Sequence, residues 1–267
     1  MKTRLLAAAV GLLILLPTLF WGGTLGVEIL VPLVLLVVVT EYAAMAFPDD
    51  STWGALWLGA ALACSYSAGL YGPEGWWGPS LLAITLATMI AVTLRPGPVL
   101  SHAADRFARH IAGVSWLSLL AAIPLLRRLD DGLAWVFVVL VISWCGDTGG
   151  YFAGRFFGRT KLYPRISPKK TWEGVAGGMA FASVGLVVVR AVALPVLSVV
   201  DCVVMGVIFC GAGVLGDLSE SMLKRAFDVK DSGWIMPGHG GLLDRIDSVL
   251  FVGPLVYGYA VWVKGIL

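Results

Sequence analysis

The chain has 267 residues, of which 58% are hydrophobic and 13% are charged, and its formal net charge is +2. This much apolar surface exceeds what a soluble core of this length can bury, so the composition excludes an ordinary soluble domain and predicts an integral membrane protein. The four cysteines lie in apolar runs without CxxC or CxxH spacing, which argues against a zinc site or a disulfide framework.

Apolar runs of membrane-spanning length follow one another along the whole chain, each near the 20 or so residues that a bilayer requires. We predict spans at residues 5–22, 25–46, 52–71, 77–94, 108–126, 132–153, 173–190, 194–216 and 243–264. The first run, after MKTR, resembles a signal peptide, but no cleavage site follows cleanly, so we expect an uncleaved helix. The expected fold is all-α and polytopic, with about nine transmembrane helices.

The basic residues predict the orientation of these helices. With the amino terminus in the cytoplasm, fifteen of the nineteen Lys and Arg residues fall in cytoplasmic segments. The remaining four fall outside: Arg127, Arg128, Arg190 and Lys264. This is the positive-inside bias, so we expect a protein of the cytoplasmic (inner) membrane, with its functional loops on the cytoplasmic face and its carboxyl terminus outside.

The two halves of the chain differ in their polar content. Residues 1–130 are nearly pure membrane helix and are interpreted as a scaffold half. Residues 131–267 form the catalytic half, with cytoplasmic loops at 155–172 and 217–243. Glu41 and Glu173 fall near cytoplasmic helix ends and are expected to line the same cavity, whereas Glu28 and Asp201 map to the outer side and receive no role.

Acidic residues in the catalytic half predict a metal site. If the chain after Gly216 is helical, Asp217, Glu220, Ser221 and Lys224 share one face, and Asp244 and Asp247 are again three residues apart. Carboxylates brought together repel unless a cation lies between them, and oxygen ligands of this kind suit Mg²⁺. The alternative is that these acids are solvated at the interface, or neutralised by nearby lysine and arginine side chains.

Asp147 lies deep in the sixth apolar run. An intramembrane carboxylate is a functional-site hypothesis in itself. Because Gly149 and Gly150 follow, we expect a loosened helix and a wet cavity around it.

Glycines and cations in the two loops predict phosphate binding. The turn around Gly238, Gly240 and Gly241 allows backbone N–H groups to approach an anion beside a helix start, and His239 is a further donor. The other loop collects Ser167, Lys169, Lys170 and Thr171 before an apolar helix. A plain glycine turn, a structural histidine and a basic cluster on anionic lipid headgroups are the alternatives.

The segment Ser221–Asp247 resembles the signature of the phosphatidate cytidylyltransferase family. It has the pattern Ser-x-apolar-Lys-Arg, four residues, Lys-Asp, Pro-x-His-Gly-Gly and Asp-Arg-x-Asp. The residues that fill it are Ser221, Lys224, Arg225, Lys230, Asp231, Pro237, His239, Gly240, Gly241, Asp244, Arg245 and Asp247. The likeness extends upstream through Asp147–Gly174, while the first half resembles the family only as a set of membrane helices.

The resemblance implies that CTP and phosphatidic acid are converted to CDP-diacylglycerol and pyrophosphate with Mg²⁺, in a site that also meets the bilayer. It implies Asp217 and Asp244 as leading metal ligands, with Asp147, Glu220 and Asp247 as weaker ones, and leaves the identity of a second cation open. Catalytic or charge-neutralising roles are implied for Asp217, Asp244, Lys224, Arg225 and Arg245. Substrate-binding roles are expected for Ser167, Lys169, Lys170, Thr171, Ser221, Lys230, His239, Gly240 and Gly241.

Two other classes of function remain open at this point. A secondary transporter would use Asp147, Asp217 and Asp244 for protons or Na⁺, although no inverted repeat is apparent. A lipid-alcohol kinase would share Mg²⁺ and basic loops but release a nucleoside diphosphate. We expect no nucleic-acid partner, and a homodimer is one open arrangement.

Overall fold

The fold is described here from a computed structural model that covers residues 2–72, 77–97, 99–233, 235 and 240–266. Its helices are α1 (Lys2–Trp21), α2 (Gly23–Ala46), α3 (Ser51–Tyr71), α4 (Trp77–Leu94), α5 (Ala103–Leu117), α6 (Ala122–Arg128), α7 (Gly132–Phe157), α8 (Trp172–Val192), α9 (Val199–Ala226) and α10 (Leu243–Gly258). Short 3-10 turns cover Leu100–His102 and Ser118–Ala121, and a π-helical turn at Tyr259–Val263 continues α10. Strands β1 (Lys161–Tyr163) and β2 (Ser167–Thr171) form an antiparallel hairpin.

Helices of membrane-spanning length and apolarity dominate the described part of the chain. Six segments there meet both criteria: Gly23–Ala46, Leu100–Arg128, Gly132–Phe157, Trp172–Val192, Val199–Ala226 and Leu243–Val263. In the most apolar stretch of α8, only 17% of residues are buried within the protein, as expected for a helix that faces lipid. The prediction of a polytopic helical membrane protein is confirmed at this level.

The predicted span 194–216 differs from α9 at both ends. The helix begins at Val199 because Ser198 and Asp201 form a capping box, in which each side chain accepts a hydrogen bond from the other's backbone N–H. It continues to Ala226, since neither Gly nor Pro interrupts residues 217–226. The predicted loop 217–243 therefore begins as helix, and our boundary at 216 was too early.

The predicted loop 155–172 also contains regular structure. Helix α7 extends into it as far as Phe157, and β1 then pairs with β2, with Lys161 opposite Thr171 and Tyr163 opposite Ser167. This hairpin is a departure from the predicted all-α fold. Its polar strands lack the apolar alternation by which a half-buried strand is recognised in sequence.

Helices α7 and α8 pack closely through small residues. A Cβ added at Gly178 would lie 2.7 Å from the carbonyl oxygen of Gly146, and one at Gly149 would lie 2.5 Å from the Cβ of Phe181. Small residues allow membrane helices to approach in this way. The expectation that glycines after Asp147 loosen α7 is therefore wrong, because the helix is continuous and Gly149 serves the contact with α8.

Two ionic clusters join helices at the end of the bundle opposite the hairpin. Arg128 donates to Glu28 at 2.7 Å, and Glu28 also accepts from the Tyr71 hydroxyl at 2.6 Å. Asp201 accepts from Lys264 and, at 2.6 Å, from the Tyr259 hydroxyl. Glu28 and Asp201, which received no role from sequence, thus join helix ends on the side of the bundle opposite the hairpin.

Candidate active site

The two charged segments of the catalytic half meet at Lys170 and Asp217. Lys170 lies on β2 and its Nζ atom is 2.6 Å from Oδ2 of Asp217, on α9. The other oxygen, Oδ1, accepts a hydrogen bond of 3.3 Å from Ser221, one turn further along the helix. The helical face predicted from the spacing of Asp217 and Ser221 is therefore present, and β2 lies beside it.

Asp217 and two further acids near this contact are named the carboxylate cluster: Asp147 on α7, Asp217 on α9 and Asp247 on α10. They lie within electrostatic range of one another and of Lys170. Asp247 is buried and its Oδ1 accepts from the Ser248 N–H at 2.6 Å. The resemblance ranked Asp147 and Asp247 only as weaker metal ligands, whereas the structure brings both, from two other helices, within electrostatic range of Asp217.

The carboxylate cluster suits a hard divalent cation by its chemistry. Within the described ranges, no group of three or more His, Cys, Asp or Glu side chains is arranged to hold a metal ion unaided. Mg²⁺ usually takes only one or two protein carboxylates and completes its shell with substrate phosphates and water. The chemistry of these carboxylates, with Lys170 beside Asp217, is therefore compatible with an ion that arrives with a phosphorylated substrate.

Asp244 has different partners from Asp217, although sequence assigned both to the metal. Its Oδ2 accepts from the Ser232 N–H at 3.1 Å, the Ser232 hydroxyl at 2.9 Å and the Gly241 N–H at 2.8 Å, and its Oδ1 accepts from Lys224. Asp244 thereby holds together both ends of the segment between α9 and α10. The N–H of Gly241, predicted to bind phosphate, is used in this network.

Lys224 is buried between two acids. Its Nζ donates to Oε2 of Glu220 at 2.7 Å and to Asp244, so it ties α9 to the first turn of α10. The other oxygen of Glu220, Oε1, is buried and has no hydrogen-bond partner among the described residues. In this arrangement the Lys224 ammonium neutralises protein carboxylates, and its predicted contact with substrate phosphate stays a prediction.

Glu41 is a site-adjacent residue whose role sequence reasoning did not identify. It is buried near the end of α2, and its two oxygens accept from the N–H groups of Leu242 and Leu243, each at 2.9 Å. The available signal was a carboxylate inside an apolar run. Its partners are backbone groups about 200 positions away, which no sequence pattern reveals.

The remaining predicted residues divide between structural uses and exposed positions. Thr171 is the N-cap of α8, and its hydroxyl accepts from the Gly174 N–H at 3.1 Å. Arg225 donates to the Val229 carbonyl at 3.1 Å. Gly240 has a φ of 82°, which favours glycine. Ser167 is the first residue of β2. The exposed residues are Lys169, Lys230 and Arg245. Outside the described residues lie Pro237, Gly238 and His239.

Residues 2–263 match the sequence model of a family described as the cytidylyltransferase family. The chain belongs to this cytidylyltransferase family. It is similar to phosphatidate cytidylyltransferases of Staphylococcus haemolyticus (34% identity over 96% of this chain and 97% of the relative) and Haemophilus influenzae (36% over 67% and 63%). The phosphatidate cytidylyltransferase of Bacillus subtilis is 47% identical over 49% of each chain.

Membership in the cytidylyltransferase family confirms the resemblance drawn from Ser221–Asp247. The match also extends the likeness to the first half of the chain, where sequence analysis found only a set of membrane helices. Glu41, Glu28, Asp201 and the carboxylate cluster therefore lie within the family's matched region, whereas Lys264 lies one residue beyond it.

Proposed function

We propose that the protein transfers a cytidylyl group from CTP to phosphatidic acid, giving CDP-diacylglycerol and pyrophosphate. The family match and the relatives named phosphatidate cytidylyltransferase, one of them aligned over 96% of this chain, support this reaction. The observation that carries it is the contact between Lys170 and Asp217, which joins the basic hairpin to an acidic helix face at one end of a membrane bundle. Such a place offers both cationic and anionic groups to a metal-bound triphosphate.

In this reaction, a phosphate oxygen of phosphatidic acid attacks the α-phosphorus of CTP. The new oxygen–phosphorus bond forms as the bond from the α-phosphorus to the bridging oxygen breaks, and pyrophosphate leaves with the electron pair. The attacking phosphate is already anionic near neutral pH, so no general base is required. The protein's task is to position the two substrates and neutralise their charge.

The chain's own residues provide for both tasks. Lys170 is placed to neutralise triphosphate charge next to Asp217. We assign Asp217, with Asp147 and Asp247, to hold Mg²⁺, which when bound would neutralise negative charge that develops during the transfer. Asp244 and Lys224 keep the α9–α10 connection in place through their contacts, and Asp244 remains a proposed further ligand. The identity of a second cation is left open.

We also propose nine spans, with α1, α3 and α4 crossing the bilayer in addition to the six segments described above. The cytoplasmic amino terminus and positive-inside bias then put the hairpin and the carboxylate cluster at the cytoplasmic membrane face. There CTP can enter from water while phosphatidic acid enters sideways from the bilayer.

A labelled-nucleotide assay tests the proposal. The purified protein is incubated in phosphatidic acid micelles with Mg²⁺ and CTP labelled at either the α- or the γ-phosphorus. We expect α-label in the lipid fraction and γ-label in pyrophosphate. With a lipid alcohol added to the micelles, transfer of γ-label to that alcohol with release of CDP would establish a kinase instead. Cation flux in liposomes without any transfer would establish a transporter.

A further inference from the structure

The carboxylate of Glu41 joins the two halves of the chain at the beginning of α10. Its Oε1 accepts from the Leu242 N–H and its Oε2 from the Leu243 N–H, both at 2.9 Å. The first N–H groups of a helix have no partner within the helix, and its positive end favours a negative charge. Glu41 thus caps α10 from α2, and among the described residues the N-cap, Leu242, provides no side-chain cap of its own.

The surroundings of Glu41 leave its carboxylate little freedom. The residue is 5% exposed. A Cβ at Gly233 would lie 2.5 Å from its Oε1, and a Cβ at Gly241 would lie 2.7 Å from its Oε2. Gly233 and Gly241 therefore lie against the two oxygens of the carboxylate, and a Cβ at either position would displace it.

The capped turn also carries a residue of the proposed site. Asp244 follows Leu243 directly, and its Oδ2 accepts from Gly241, whose backbone packs on Glu41. Any rotation of this turn moves Asp244 relative to Lys224 on α9. Asp247 lies one turn further along α10, so the carboxylate cluster depends on the same helix start.

We propose that Glu41 is a positioning residue, which sets the placement of Asp244 and Asp247 by capping α10 from the scaffold half. The expected effect on kcat rests on the proposed cytidylyl transfer. The expected effect on the start of α10 does not depend on the reaction. Glu41 touches neither substrate nor metal in this role.

The test replaces Glu41 by Gln, which keeps the shape but presents an NH₂ group to one of the two backbone donors. We expect the Leu242 and Leu243 amides to exchange hydrogen roughly tenfold faster, as the loss of a charged acceptor implies. We expect kcat per folded molecule to fall about tenfold or more while KM for CTP changes less than about threefold, because alignment rather than binding is disturbed.

The matched control is Glu28→Gln, a carboxylate on the same helix that bonds to Arg128 and Tyr71 at the other end. It is expected to lower thermal stability without changing kcat or exchange at residues 242–243. If Glu41→Gln does not fold, Gly233→Ala displaces the intact carboxylate and must give the same exchange and kcat changes.

Unchanged exchange at residues 242–243, or wild-type kcat despite faster exchange, would overturn the positioning role. The failure of the proposed function is a separate result: wild-type protein would then form no CDP-diacylglycerol at all. In that case the exchange measurement alone still decides whether Glu41 holds the start of α10.

Discussion

The ammonium of Lys170 lies 2.6 Å from a carboxylate oxygen of Asp217, and this contact joins β2 to α9. Both residues come from segments that are highly charged in an otherwise apolar chain. Opposite charges at this distance stabilise each other near a membrane boundary, where isolated charges are costly. Lys170 also lies within electrostatic range of the other two acids of the carboxylate cluster. An incoming triphosphate would therefore replace Asp217 as the partner of Lys170, and its cation would pair with the carboxylates.

Replacement of Lys170 by Ala tests the cationic part of this contact. We expect KM for CTP to rise roughly tenfold, since a charged hydrogen bond to phosphate is lost, with membrane insertion unchanged. A CTP titration measures the effect. Lys161→Ala is the control, because Lys161 is an exposed lysine of the same hairpin that has no assigned role in the site. Equal KM values for CTP in the two variants would show that Lys170 does not contribute to nucleotide binding.

The different partners of Asp217 and Asp244 predict different phenotypes for their Asn variants. Asp217→Asn should lower turnover roughly 100-fold or more by removing a negative charge from the reaction centre, with little change in thermal stability. Asp244→Asn should lower turnover and also destabilise the protein by about 3–5 kcal/mol, because it breaks a buried ion pair. Activity assays and thermal unfolding in the same detergent measure both. Near-normal activity in either variant contradicts its place in the site.

Lys224 and Glu220 form a pair suited to a double-mutant cycle. Lys224→Met should destabilise the protein by about 3–5 kcal/mol, because two buried carboxylates then face each other without a cation. Adding Glu220→Gln should restore part of that stability by removing one of the charges. Unfolding transitions of the wild type, both single variants and the double variant give the coupling energy. Strictly additive effects would show that the observed contact contributes nothing.

Removal of divalent cations should abolish cytidylyl transfer, and Mg²⁺ should restore it. The role of Asp147 is tested by the Asn variant, which should raise the Mg²⁺ concentration for half-maximal rate about tenfold or more. Steady-state rates over a Mg²⁺ titration measure this requirement. A wild-type Mg²⁺ dependence in Asp147→Asn would exclude that carboxylate from the metal's surroundings.

Asp201 lies at the end of the bundle opposite the hairpin, and we expect its replacement to affect stability but not activity. Asp201→Ala removes the partner of Lys264 and Tyr259, so we expect a lower unfolding temperature with unchanged kcat and KM for the folded protein. Differential scanning fluorimetry and initial rates are sufficient to test this. A selective loss of kcat would mean that Asp201 and its partners influence the candidate site from the opposite end of the bundle.

The helices could be predicted from sequence because long apolar runs have few structural alternatives in a bilayer. The predicted spans 77–94 and 243–264 coincide closely with helical structure. The polar elements were harder to place. Residues 217–226 were placed in the loop after the predicted span 194–216, although their spacing also fitted a helical face, and they extend α9. The strands of the hairpin lack any apolar alternation.

The candidate site was predictable in its residue types but not in its pairings. Charge and spacing indicated Asp217, Asp244 and Lys170 as functional side chains. They did not reveal that Lys224 neutralises Asp244 or that Glu41 caps α10, because these contacts depend on how separate helices pack. Side chains that are 20 or more positions apart in sequence become partners only through the tertiary structure. Backbone N–H and C=O groups occur along the whole chain, so the sequence does not show which of them a side chain will bond.

The crossing of Gly178 over Gly146 has a consequence for the candidate active site. Gly146 immediately precedes Asp147, and α8 begins where the hairpin that carries Lys170 ends. A methyl group at position 178 would collide with the Gly146 carbonyl at 2.7 Å and wedge the two helices apart. The absence of a side chain at Gly178 therefore allows the close approach of α7 and α8, and this approach helps to set the distance between Lys170 and Asp147.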